Sequence, residues 1–293
     1  MKAFAKRSFT TPDGLTLVGD VGGPQDAPAV ILLHGGGQTR HSWAFTMRRL
    51  VESGYFIINY DARGHGDSDW SPTGAYTIEA LAADLRAVRA TVAGPAAFVG
   101  ASMGGMTGFY AIGTSTPPAA EALVMVDIVL RAADAGVERI QRFMTGHRNG
   151  FADLDEAVQA VIAYNPDRPR PSDPSGLRKN LRERDGRLYW HWDPAMLDSR
   201  PSSEPPPRLD ALVEVSSRVT VPTLVVRGGH SDIVDDEGIA EMVRLVPQTE
   251  VYDVPGAGHM VAGDRNDAFS TGVLSFLDRT FPAMGDRRGT TER

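Results

Sequence analysis

Short apolar runs, each closed by Gly, Pro or Asp, alternate along this chain with longer stretches of helical spacing. Runs of four to six residues that stay largely apolar suit strands covered on both faces, the condition of a parallel sheet between two layers of helix. The candidate strands are Val30 to Leu33, Tyr55 to Tyr60, Ala97 to Gly100, Ala122 to Val126, Thr223 to Val226 and Glu250 to Val254. Between them, Ile78 to Val92 places Leu81, Leu85, Val88 and Val92 on one stripe of a helix, as a sheet cover requires. Phe4 to Val21, with a turn at Pro12-Asp13-Gly14, reads as an antiparallel hairpin at the sheet edge. This order predicts an α/β fold, with a mostly parallel twisted sheet and helices on both faces.

The alternation stops over residues 128–218, and nine of the chain's 20 prolines lie between Pro166 and Pro207. Structureless connections beyond about 12–15 residues are uncommon inside a compact domain. An inserted helical cap is therefore expected over 128–218, with the core formed by 1–127 and 219–293. Within it, Ala132 to Met144 and Leu154 to Ala163 have helical patterning, and Tyr189-Trp190-His191-Trp192 concentrates aromatic rings. Such rings either pack the cap or line a pocket for an acyl or aromatic group, and Trp192 is the candidate substrate contact.

Composition removes whole classes of function. Thirty Lys plus Arg against 37 Asp plus Glu gives a net charge of −7, the wrong sign for neutralising phosphates, so no nucleic-acid partner is expected. Without cysteine there is no thiol nucleophile, no Cys-ligated zinc and no disulfide. The seven histidines show neither HExxH nor another metal spacing, and no metal or cofactor is expected. No stretch approaches the ~20 apolar residues of a membrane span, and the first residues lack the apolar run of a signal peptide. The expectation is a cytoplasmic protein with a small-molecule substrate.

The sharpest chemical signal is Gly100-Ala101-Ser102-Met103-Gly104, set between an apolar strand and a helix-compatible run from Met106. A nucleophile on a tight strand-to-helix turn tolerates only small neighbours, so that its hydroxyl stands clear of the sheet. Serine needs a histidine to take its proton and an acid to orient that histidine. His259, in Gly256-Ala257-Gly258-His259, follows one late strand, and Asp232 follows another through Arg227-Gly228-Gly229-His230-Ser231. His34-Gly35-Gly36-Gly37, directly after Leu33, supplies backbone N–H groups for an oxyanion, with the Met103 N–H as the second donor. Neither GxxxxGK[ST] nor GxGxxG is present there, so the glycines are not a phosphate loop.

Together with Trp43, Asp61-Ala62-Arg63-Gly64-His65-Gly66-Asp67-Ser68 and Gly258-His259-Met260, these motifs resemble a serine member of the α/β-hydrolase superfamily over about residues 6 to 281. The Asp61 to Ser68 motif is most similar to the branch of epoxide hydrolases and cofactor-free haloperoxidases, with serine where epoxide hydrolases carry an aspartate nucleophile. The resemblance implies a triad of Ser102, Asp232 and His259 and oxyanion donors at Gly36 and Met103. Asp127 is the alternative acid and Gly37 the substitute for Gly36. His34, His65, Arg63 and Asp61 are expected to support the loops structurally, and Trp43 to pack rather than to contact substrate. The expected activity is hydrolysis of a small or medium carboxylic ester, thioester or lactone through an acyl-enzyme. Carbon–carbon bond hydrolysis of a diketone-like substrate is the alternative within the enzyme class, and a non-catalytic ligand receptor on the same fold the alternative outside it.

Overall fold

The apolar runs form the strands expected of them. The computed structural model describes residues 4–164, 174–198, 210–256 and 267–283. In chain order the strands are β1 (Ala5–Thr10), β2 (Thr16–Gly22), β3 (Ala29–Leu33), β4 (Phe56–Tyr60), β5 (Ala96–Ala101), β6 (Ala122–Val126), β7 (Leu181–Arg184), β8 (Arg187–Trp190), β9 (Thr223–Gly228) and β10 (Thr249–Val254). Eight of them make one sheet in the order β1-β2-β4-β3-β5-β6-β9-β10. The first hairpin sits antiparallel at the edge, and every pair from β4 to β10 is parallel.

Helices cover both faces. They are α1 (Ala44–Glu52), α2 (Ile78–Arg89), α3 (Met103–Gly113), α4 (Asp134–Thr145), α5 (Leu154–Tyr164), α6 (Ala195–Asp198), α7 (Asp210–Val215), α8 (Asp236–Leu245) and α9 (Asp267–Thr280). Alternate residues of β3 serve opposite layers, because successive side chains leave a strand on opposite faces. Ile31 and Leu33 pack with Leu85 and Val88 of α2 and Phe109 of α3, whereas Val30 and Leu32 join Met47 of α1 and Phe269 of α9. Trp43 is fully buried in the second layer, 6.1 Å from Phe269 between ring centroids, a packing residue as expected. Helix α2 starts where Thr77 caps the Ala80 N–H, with Glu79 in its first turn and Arg86 and Arg89 in its last.

The segment expected to be an inserted helical cap contains more than helices. Strands β7 and β8 form a separate hairpin, joined by Asp185-Gly186, and the β8 residue Leu188 exchanges backbone hydrogen bonds with Phe151. Phe151, Leu188, Trp190 and Trp192 make a small apolar cluster of their own, with the two indoles stacked at 4.9 Å. The ends of the segment behave differently. Ile128, Val129 and Leu130, together with Leu212 and Val215 of α7, belong to the main core, and Val215 packs on Gly113 of α3.

The Asp61 to Ser68 turn is fixed by two charge networks. Asp61 accepts the Arg40 and Asp67 N–H groups and pairs with the Arg40 guanidinium. Arg63 instead binds Asp84 of α2 in a two-pronged pair at 2.6 Å and Asp13 at 3.0 Å. Both members of the Arg63–Asp84 pair are only 2% exposed at the side chain. Removing one partner of a buried pair leaves an uncompensated charge, at a cost of about 3–5 kcal/mol. Asp84→Ala is expected to lower unfolding stability by that amount in a denaturant titration; a loss below about 1 kcal/mol would show that the network is not stabilising the turn.

Candidate active site

Strand order places a crevice between β3 and β5. The chain leaves β3 for β4 on one side and returns to β5 on the other, so the loops at their carboxyl ends diverge, and ligands of open α/β sheets bind at such a switch point. Leu33 is in register with Gly100, so the segment after β3 lies beside the turn after β5. Ser102 occupies that turn with φ +46° and ψ −114°, a left-handed conformation that a side chain adopts only under strain. Its N–H is held by the Val126 carbonyl at 3.0 Å, and its own carbonyl accepts the Met106 N–H at 3.0 Å as α3 begins. Gly100 and Gly104 are obligatory here: a Cβ on Gly100 would enter the Gly104 backbone, and one on Gly104 would enter the Leu33 carbonyl. Ser102 is half-buried and opens on a cleft of about 880 Å³ lined by Met106, Ile128, Leu130, Val137, Ile140 and Ile233. Asp134, Asp210, Asp235, Glu241 and Arg131 line it as well.

The loop after β3 is fastened by histidines, each with one accepting and one donating nitrogen. His34 Nε2 accepts the Ala62 N–H at 2.9 Å, which leaves its Nδ1–H to donate to Gly35 O at 2.8 Å. His65 Nε2 accepts the Gly37 N–H at 3.1 Å, and its Nδ1 donates to Arg63 O at 3.0 Å. Burial, in the first place, lowers the pKa of both rings, so they stay neutral. The Gly37 N–H is thereby taken, and Gly35 donates to Gln38 Oε1 at 3.3 Å. The Gly36 N–H has no hydrogen-bond partner among the described residues. Met103 is the first residue of α3, where an N–H has no intrahelical acceptor. Although three histidine rings lie close together, no group of three or more His, Asp or Glu among the described residues is arranged to hold a metal ion.

Two carboxylates lie beyond the crevice. Asp127, just after β6, is fully buried at φ +51° and accepts the Gly228 N–H at 3.0 Å and the Ser231 hydroxyl at 2.7 Å. Ser231 Oγ in turn accepts the Ile233 and Val234 N–H groups, so Asp127 shapes the turn that carries Asp232. Asp232, half-buried, meets Arg139 of α4 in a two-pronged pair with both distances 2.6 Å. Arg139 also donates to Tyr164 O and lies 4.8 Å over the Tyr164 ring. His259 lies outside the described residues, in the sequence shortly after β10.

The sequence matches the α/β hydrolase fold family over residues 28–265. The chain belongs to that family. The sn-1-specific diacylglycerol lipase ABHD11 of Mus musculus is 30% identical over 267 residues, 87% of this chain and 82% of its own length. Esterase Rv0045c of Mycobacterium tuberculosis is 32% identical over 261 residues, 86% of this chain and 83% of its own. The structure of E-2-(acetamidomethylene)succinate hydrolase superposes with a TM-score of 0.80 over 94% of this chain and 100% of that one; at 23% identity it shows the shared fold. This α/β hydrolase is thus a hydrolase by family and by its relatives, and none of its described helices is long and apolar enough to cross a membrane.

In this α/β hydrolase Gly36 follows β3, Ser102 and Met103 follow the adjoining β5, and Asp127 and Asp232 lie on the loops of the neighbouring strands. Trp192 sits elsewhere. It is 3% exposed, stacked on Trp190, with its ring against Gly37, and it is absent from the lining of the Ser102 cleft. Two residues carry unforeseen contacts: Arg139, bound to the candidate acid, and His191, bound to the loop after β3. Their partners are 93 and 154 positions away in sequence, beyond the reach of any local pattern.

Proposed function

We propose that this α/β hydrolase cleaves a small or medium carboxylic ester, thioester or lactone through an acyl-enzyme. Ser102 Oγ attacks the carbonyl carbon while His259 takes its proton, and the carbonyl π electrons move onto the oxygen as the tetrahedral centre forms. The Gly36 and Met103 N–H groups donate to that oxyanion, each worth about 10²–10³ in rate. Collapse expels the alcohol or thiol, which leaves with the proton from His259. A water molecule, deprotonated by His259, then releases the acid and restores Ser102. Asp232 holds the tautomer of His259 and stabilises the imidazolium.

One observation carries the reading: a strained serine stands at the switch point beside the Gly36 N–H, which has no partner among the described residues, and the Met103 N–H, which as the first of α3 has no intrahelical acceptor. The names of the relatives, a lipase and an esterase, support an ester over other acyl bonds. The apolar side chains lining the cleft suit an acyl chain, and the excess of carboxylates over cations in the lining suits a substrate without negative charge. Trp192, buried behind Gly37, serves this reading as support for the loop rather than as a wall of the acyl cleft.

The test is intact-mass spectrometry after fluorophosphonate treatment, alongside turnover of p-nitrophenyl esters of increasing acyl length and of a diketone. One phosphonyl adduct on the wild type, absent from Ser102→Ala, with steady ester turnover is the expected result. Diketone cleavage without ester turnover would transfer the same residues to carbon–carbon chemistry, and no adduct with no turnover would favour a receptor.

A further inference from the structure

An imidazole of the cap bonds the loop after β3. His191 follows β8; its Nδ1 accepts the Gly66 N–H at 2.8 Å, and its Nε2 lies 3.3 Å from the Gly37 carbonyl oxygen. A backbone N–H can only donate, so Nδ1 is unprotonated and Nε2–H donates to Gly37. The ring is 2% exposed, with its centroid 5.8 Å from that of His65. Gly37 is therefore held at both ends, its N–H by His65 of the core and its carbonyl by His191 of the cap. The first of these bonds fixes the plane of the peptide that links Gly36 to Gly37.

We propose that His191 is a positioning residue for the oxyanion donor Gly36, making the geometry of the loop depend on the docked cap. The inference rests on the acyl-transfer reading given above. Three consecutive glycines have little stiffness of their own, so the direction of a catalytic N–H must be imposed from outside. Displacing such a group by about 1 Å costs on the order of 10²-fold in rate. The same hairpin is anchored around His191: Arg182 donates to Gly66 O, Asp193 N–H to Gly64 O at 2.9 Å, and Tyr76 to the Asp193 carboxylate at 2.5 Å. The indole of Trp192 lies against Gly37 from the same side.

Charged and titratable neighbours keep the imidazole in the form this role needs. Burial foremost, with the positive charge of Arg182, lowers its pKa to about 4, against the Gly37 hydrogen bond and the attraction of Asp61. His65 faces it as a neutral ring. The brace is accordingly intact throughout the range in which ester hydrolysis is assayed.

The experiment compares wild type, His191→Ala and His191→Gln by hydrogen exchange read by mass spectrometry and by steady-state kinetics on a p-nitrophenyl ester. The Gln amide keeps a donor near the Nε2 position and cannot ionise. His191→Ala is expected to speed exchange in peptides covering residues 34–40 by about tenfold without altering β5 and β6, and to lower kcat by about 10- to 100-fold with KM within about threefold. His191→Gln is expected to recover most of both effects. Unchanged exchange over 34–40, a change in KM alone, or an equal loss in both variants with protection falling across the whole sheet would each overturn the proposal. Should the wild type turn over no ester, the acyl-transfer reading fails by itself, and the exchange comparison still decides whether His191 braces the loop.

Discussion

Ester turnover by Ser102→Ala is expected to fall by about 10⁶-fold, the scale on which removal of a triad serine acts in a serine hydrolase. The fold is expected to be indifferent. Serine and alanine both carry a Cβ, so the strain of φ +46° is the same in both, and only the hydroxyl facing the cleft is lost. The unfolding midpoint of the alanine variant should match that of the wild type. Ser102→Gly should be equally inactive yet more stable by about 1 kcal/mol, because glycine adopts this backbone without strain. Initial rates and denaturant titrations on the three proteins measure both quantities. Alanine-variant turnover within 100-fold of wild type would remove Ser102 from the mechanism.

The second large effect distinguishes the two carboxylates. Asp232→Asn is expected to lower kcat by about 10⁴-fold, as loss of the orienting charge does in a serine triad. Asp127→Asn is expected to act mainly on stability, by about 1–3 kcal/mol, because its oxygens hold Gly228 and Ser231 in the turn that delivers Asp232. Both substitutions keep size and shape, so packing is constant between them. Steady-state kcat and urea midpoints on each variant give the comparison. The deeper catalytic loss in Asp127→Asn, with Asp232→Asn nearly active, would transfer the acid role to the residue after β6.

Much of this was legible in advance, and the reason is burial. Strands covered on both faces must be apolar throughout, so β3 to β6 announce themselves as runs, and the close packing at Ser102 demands the glycines that mark it. The cap hairpin was not legible. Leu181–Arg184 lacks the apolar alternation of a half-buried strand, because most of β7 is exposed, and the hairpin packs through Leu188 and Trp190 of β8, a strand too short to show a period. The Asp185-Gly186 turn was the one available sign, with both residues at positive φ as such hairpin turns require. The tasks of His191 and Arg139 depend on which loops the sheet brings beside them, and strand order is a property of the whole chain.

The insertion leaves from β6 and returns to β9, which are neighbours in the sheet. Exchanging the part between Leu130 and α7 breaks no strand pairing of the main sheet and leaves the core residues at both ends in place, so that part is built like a cartridge that a designer can replace with another of different shape. The fit carries obligations. A transplanted cap has to bring a ring or amide that accepts from Gly66 and donates to Gly37, and a cation for Asp232. A chimera that folds but lacks these would keep its nucleophile and lose the tuning of the groups around it, so substrate range and turnover cannot be engineered independently in this scaffold.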